Sequence, residues 1–361
     1  KKMKTIRTTV LMFSLALMCL MGGQASAQTW QNTQQIKSNT FQKSFCQNEA
    51  DNSGNTFACG GFSDSITFAN VTLYSPSMSA YVVKYDASGA VAWIAQCTDI
   101  IGAAATSIAI ASNGNIIATG IFLGSMSVGQ FTLSSAGNED IFVAVINASN
   151  GAIISATRFG GSGSDFSESI VSDGLNTIIA GGFEGTVAFG TNTLTATSGG
   201  IDAFIAKLDA SGVPLWATGC GGSGIDYYSD IAVDQSGCYA TGTTTSPSIG
   251  ASLGFGETDV IFGKYAVNNG NQDFLMITGT DTVDNSGGIT IRGNDFFPLI
   301  NFGQGDIYFG SQTIPYSSTG RKLVIFTCDK QTGSQSLPSV FSMGDDIQCP
   351  KSAIVTVGNE M

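Results

Sequence analysis

Beyond residue 27 the apolar residues come in short runs rich in Ile, Val, Phe and Ala, broken by Gly, Ser, Asn or Asp. Runs bounded in this way read as strands. No apolar stripe at helical spacing reaches useful length. The clearest stretch is 202–222, DAFIAKLDASGVPLWATGCGG. It predicts a strand over 203–209, a tight turn over 209–212, a second strand through Trp216, and a glycine loop.

That stretch recurs. Trp216 aligns with Trp30, Trp93, Ser155, Phe274 and Leu337, at successive spacings of 63, 62, 61, 58 and 63 residues. The turn glycine four residues earlier aligns as Gly89, Gly151, Gly212, Gly270 and Gly333. A second anchor, SGNTFACGGF at 53–62, returns at 113–122, 175–183 and 236–242, and more weakly at 293–302. Two anchors sharing one period of about 60 residues define a repeat.

Each repeat carries four strand signals, at 168–173, 177–183, 203–209 and 213–220 in the third copy. Tight turns alternate with longer connections, as an up-and-down antiparallel sheet requires. The longer ones are the loop 221–226 and the segment 184–201, which holds the small apolar pieces TVAFG and TLTAT. A four-stranded antiparallel sheet at this period predicts an all-β fold of β-propeller blades. A β-solenoid has shorter coils, and a single unit is too small to bury both faces alone. Five complete units are expected. A sixth has only its first and last strands, so a chain continuing past Met361 is expected.

The copies at 202–227 and 229–242 resemble the bacterial seven-bladed β-propeller repeat (SBBP) family. The resemblance covers roughly 30–361 and weakens in the fifth copy, where RKLVIFTC at 321–328 replaces the Asp-x-Phe-Val-Ala-Lys pattern and Pro298 stands inside a strand. It implies a propeller and no particular reaction.

Residues 1–27 have a basic start, an apolar run over 10–21 and Ala25-Ser26-Ala27. This reads as a secretory signal cleaved before Gln28, with an apolar run too short to span a bilayer. Residues 28–361 form the repeat domain, so a secreted or cell-surface location in a bacterium is expected. Four of the 15 basic residues and none of the 27 acidic ones lie in 1–27, leaving a mature net charge of −16. That charge disfavours nucleic acid and anionic lipid, and suits cations or neutral ligands. Protein or glycan partners fit this surface.

The chain has no histidine, which excludes His-based triads, and no CxxC pair for zinc. Seven cysteines follow residue 27, an odd number that leaves at least one thiol unpaired. Cys46 and Cys59 flank the turn at 51–54 and are the disulfide candidate. Cys97 and Cys220 share a repeat position two copies apart, which argues against a bond between them.

No catalytic constellation emerges. The candidate ligand residues are the loop aspartates Asp165, Asp226, Asp284 and Asp346, which recur nine or ten residues after the Trp216-type anchor. A ring of carboxylates there would hold Ca²⁺ or a polyol. The competing reading is that each caps its own glycine turn. Tyr227 and Tyr228 follow Asp226 as either a stacking surface for a glycan or strand core. Trp93 and Trp216 read as core between repeats. The function expected is a non-catalytic binding or structural module. The alternatives are a Ca²⁺-dependent glycan-binding propeller and a glycan-acting hydrolase, which would need two carboxylates in one cleft.

Overall fold

The computed structural model describes residues 36–38, 47–309, 312–315, 322–334 and 339–342. Every regular element among them is a β-strand, and all ladders between strands are antiparallel. No helix among the described residues is long and apolar enough to cross a membrane.

The second sheet is ordered as an up-and-down meander of Ala103–Ile110, Ile116–Phe122, Asp140–Ile146 and Ile153–Phe159. The third repeats it with Asp165–Ser172, Thr177–Glu184, Ile201–Leu208 and Pro214–Cys220. The fourth has Asp226–Asp234, Gly237–Thr244, Asp259–Tyr265 and Gln272–Gly279, and extends to six strands through Ile307–Phe309 and Gln312–Ile314. In the first sheet Asn48–Ala50 pairs with Thr56–Phe68, followed by Val71–Tyr85 and Val91–Asp99. In the third sheet the strands fall within three residues of the runs expected at 168–173, 177–183, 203–209 and 213–220.

The turns explain the glycine anchor. Gly89, Gly151, Gly212, Gly270 and Gly333 all have positive φ, between 68° and 84°. This left-handed region costs side-chain-bearing residues energy, so glycine recurs there. In the third copy Asp209 closes the turn, its Oδ1 accepting the N–H groups of Ser211 and Val213 at 2.8 and 3.0 Å.

The first strands of successive sheets lie side by side in series. Each from the second sheet to the fifth carries a bulge, at Thr106, Glu168, Ser229 and Gly287. The residue after the bulge faces the neighbouring sheet. Ser107 Oγ accepts the N–H of Ile170 at 2.8 Å. Ser169 Oγ donates to Asp230 Oδ1 at 3.0 Å, and Asp230 Oδ2 accepts the N–H of Ile289 at 3.0 Å. The bulge interrupts the ladder within one sheet and releases these groups to bond across to the next.

The apolar core is divided the same way. One cluster joins the first and second sheets through Phe57, Val82, Ile108 and Phe142, and another joins the third and fourth through Ile205, Trp216, Ile231 and Ile261. Four of the five clusters join neighbouring sheets in this way, and the fifth, around Phe62, Phe68 and Tyr81, lies within the first sheet. The segment 184–201 forms a small hairpin, Thr186–Phe189 with Asn192–Thr195. It wedges Phe189 between Phe159 of the preceding sheet and Phe204 of its own, with ring centroids 5.1 and 4.8 Å apart.

The fifth sheet departs at Pro298. Asp295–Phe302 pairs with Lys322–Ile325 on one side of the proline and Cys328–Asp329 on the other, in one continuous register. Proline has no N–H to give the ladder, so the third strand splits there. The carbonyl of Pro298 still accepts the N–H of Phe326 at 3.3 Å.

Candidate functional site

Asp165, Asp226 and Asp284 stand at or just before the start of the first strands of the third, fourth and fifth sheets, and all three are fully buried. Each accepts a backbone N–H from its own loop, four residues back: Gly161 at 2.7 Å, Gly222 at 2.7 Å and Thr280 at 2.5 Å. This is the capping arrangement. Asp226 also takes the hydroxyls of Ser246 (2.7 Å) and Thr244. Asp284 also takes the Thr280 hydroxyl at 2.9 Å and the N–H of Gly303 at 2.7 Å. Among the described residues no group of three or more metal-ligating side chains comes together. Asp346 lies outside the described residues, as do Cys46 and the segment 1–27.

What the loop aspartates do meet is a second aspartate that the sequence reading passed over. Asp140, Asp202 and Asp259 each open a third strand or stand one residue inside it, and all are buried. Each accepts a loop N–H: Ala136 at 2.7 Å, Thr197 at 2.8 Å and Phe255 at 2.7 Å. The loop between sheets then sets the pairs Asp140 with Asp165, Asp202 with Asp226, and Asp259 with Asp284. Their signal was the aspartate heading each third-strand run, at 140, 202 and 259, which looked like a strand boundary.

Burial dominates their electrostatics. It pushes Asp165 up to about 6, with the Asp140 charge adding and the N–H groups of Gly161 and Glu184 opposing. It pushes Asp284 up to about 7, against three hydrogen bonds and with the Asp259 charge adding. Asp202 and Asp259 are raised for the same first reason. A carboxylate out of water favours its neutral form unless a counter-charge compensates.

Tyr228 is fully buried, its hydroxyl 2.6 Å from that of Tyr265 and 3.6 Å from Cys220 Sγ. It is core and no ligand platform, which corrects its place among the ligand candidates. Alternation along the strand puts Tyr227 on the other face, edge-on to Phe166 at 5.6 Å. Both line a small cleft of about 300 Å³ beside the bulges, with Glu139 and Glu168.

A larger cleft of about 630 Å³ opens between the third and fourth sheets. Its lining is hydroxyl and amide: Thr193, Thr195, Thr197, Ser252 and Gln272, with Leu194, Leu275 and Ile249 for apolar contact. Asp202, Cys220 and Gly221 form its floor. Burial raises the Cys220 thiol to about 11, which keeps it protonated at neutral pH and weakly nucleophilic. Cys97 and Cys220 sit in different inter-sheet cores, as their repeat positions imply. The backbone N–H of Cys59 donates to the carbonyl of Gln47 at 3.4 Å.

No family model matches the chain, and no curated protein sequence matches it. Among solved structures it is similar to the quinohemoprotein alcohol dehydrogenase from Comamonas testosteroni, at 12% identity and a TM-score of 0.34. The match covers 79% of this chain and 43% of the dehydrogenase chain. A likeness of that size does not carry the dehydrogenase's fold or chemistry over to this one.

Proposed function

We propose that this is an exported, non-enzymatic β-propeller of the SBBP type, whose blades are the repeated sheets and which serves as a binding or structural module at the cell surface. The propeller reading is supported by first strands lying side by side in series and by cores that lie between units. Export is supported by the signal-like segment 1–27 and by the acidic, lysine-poor composition.

The observation that carries the binding reading is the cleft between the third and fourth sheets. Binding sites are concave, with a few placed polar groups among apolar ones. Here the polar groups are hydroxyls and an amide with the Asp202 carboxyl below them, matched to a neutral hydroxyl-rich ligand such as a glycan. The one nucleophile on its floor, Cys220, is held as the thiol. Both recurring sets of aspartates are engaged by their own loops.

The test is a glycan-array screen of the full chain, followed by Thr195→Trp and Gln272→Ala. The expected result is a neutral oligosaccharide ligand whose affinity falls at least tenfold in both variants, with an unchanged circular dichroism spectrum. Release of shortened glycan on incubation would contradict the non-enzymatic reading. Retained affinity in both variants would move the binding surface elsewhere.

A further inference from the structure

The small cleft at the bulges is built by the first strands of neighbouring sheets. It holds about 300 Å³, the lower end of ligand pockets. Phe166 and Tyr227 stand two residues before the bulges of the third and fourth sheets, where the second and fifth carry Ala104 and Asn285. The edge-on ring pair therefore belongs to this one junction. Gly182 leaves it room, since a Cβ there would come within 2.7 Å of Phe166 Cζ and 3.0 Å of Tyr227 Cβ. Thr106 and Glu168 are the bulge residues themselves, and the bulge turns them out of the ladder register into the cleft wall. Glu139 is pinned beside them, its carbonyl accepting the N–H of Asp165 at 2.7 Å.

The hydroxyls of the lining are spent on the protein. Thr106 donates to the carbonyl of Ser167 at 2.8 Å. Thr119 donates to the carbonyl of Phe142 at 3.1 Å, so the Ser167 hydroxyl, 2.6 Å from it, donates to Thr119. The Tyr227 hydroxyl engages Thr243. Burial raises that phenol, with Thr243 opposing and the Glu168 charge adding, which sets the carboxylate close to the ring. The cleft thus offers a ligand carboxylate oxygen from Glu139 and Glu168, and apolar surface from Ile121, Phe166 and Tyr227. A carboxylate has about four acceptor sites, so an internal bond does not exhaust it. Among the described residues, none that lines the cleft is basic. Two carboxylates alone would be an ordinary solvated patch. The enclosed space, the ring pair and the spent hydroxyls are what select a ligand.

We propose that this cleft binds an alkylammonium ion, at a site separate from the large cleft. An ammonium group carries three donors and no acceptor, the complement of this lining. Its charge is attracted to the ring faces, and its alkyl stem covers Ile121. Residues 28–361 carry a net charge of −16, which concentrates cations at the surface. A free amine and a lysine side chain of a partner protein share this chemistry.

The experiment titrates the full chain with n-butylammonium, followed by saturation-transfer NMR of the ligand. The neutral control is 1-butanol, and N-acetyl-lysine methylamide mimics a protein side chain. Saturable binding of n-butylammonium that weakens with added salt is expected, with none for 1-butanol. Glu168→Gln should weaken it about tenfold, through loss of a charged acceptor. Tyr227→Leu should weaken it about two- to fivefold, through loss of a part-exposed cation–π contact. Glu257→Gln, at an exposed carboxylate outside the lining, should leave it unchanged. The lysine mimic binding more tightly than n-butylammonium assigns the site to a protein partner, and more weakly to a free amine. Either ranking supports the proposal. Equal binding of n-butylammonium and 1-butanol would overturn it. So would affinity unchanged in Glu168→Gln and Tyr227→Leu with both folded by circular dichroism, or an equal loss in Glu257→Gln.

Discussion

The indole N–H of Trp216 donates to the carbonyl of Val267, one sheet further on, at 3.1 Å. Lys207 Nζ donates to the same carbonyl at 3.1 Å. Two copies earlier the arrangement is repeated: Trp93 and Lys84 both donate to the carbonyl of Ala148, at 3.0 and 2.8 Å. The tryptophan is thus a clamp from each such sheet onto the turn of the next. Trp216→Ala should lower unfolding free energy by about 3–5 kcal/mol, as for large core aromatics. Trp216→Phe removes the N–H but leaves Lys207 on the carbonyl, and should cost about 1 kcal/mol from the bond. Trp93 is only half-buried, so Trp93→Ala should cost less than Trp216→Ala. Urea unfolding of the three variants ranks them.

The same clamp makes one turn glycine doubly constrained. Gly270 has φ +72°, and a Cβ there would lie 2.5 Å from the Trp216 ring. Gly174 has φ +88° with nothing within 4 Å. Gly174→Ala should therefore cost only the left-handed conformation, about 1–2 kcal/mol. Gly270→Ala should cost that plus about 1–3 kcal/mol of overpacking. Equal urea midpoints for the two variants would refute packing of the indole on that turn.

Stability should depend on pH with an unusual sign. In the folded state Asp165 is raised to about 6 and Asp284 to about 7, so between roughly pH 4 and 7 the folded chain binds more protons than the unfolded one. Stability then falls as pH rises through that window. Several turn aspartates, Asp173 and Asp234 among them, are lowered: burial pushes them up, but the hydrogen bonds of Lys207 and Lys330 together with those of loop N–H and hydroxyl groups outweigh it. Their stabilisation is lost only as pH falls below about 4. Melting in EDTA should accordingly be highest near pH 4–5 and lower at pH 7.5. A melting temperature that climbs steadily from pH 5 to 7.5 would contradict the burial of the two loop aspartates.

The fold was legible because its determinants are local. Positive φ demands glycine at Gly212 and its equivalents, and short apolar runs bounded by Gly, Ser, Asn or Asp mark the strands between, so both anchors appear in sequence. The site was only half legible. Asp165, Asp226 and Asp284 stood out because their loops are irregular and recur. Asp140, Asp202 and Asp259 did not, because an aspartate at the head of an apolar run reads as the end of a loop. Their pairing joins residues about 25 apart through a turn between two sheets, and no single-strand pattern encodes it. Tyr227 and Tyr228 were inseparable in sequence because adjacent strand residues face opposite sides, and only register decides which one is buried.

The account rests on the loop aspartates holding the junction between sheets, and Asp226 is the sharpest case. Its carboxylate is fully buried and accepts the N–H of Gly222 and the hydroxyls of Ser246 and Thr244. Asp226→Ala strands three buried donors, each worth about 1–3 kcal/mol when unsatisfied. Residues kept for ligand or catalysis behave the other way, since removing them leaves stability unchanged or raises it. The decisive measurement is urea unfolding of Asp226→Ala against the parent chain in EDTA at pH 7.5. A loss of at least about 3 kcal/mol is expected. An unchanged or higher midpoint would contradict the account and return Asp226 to the ligand-binding residues.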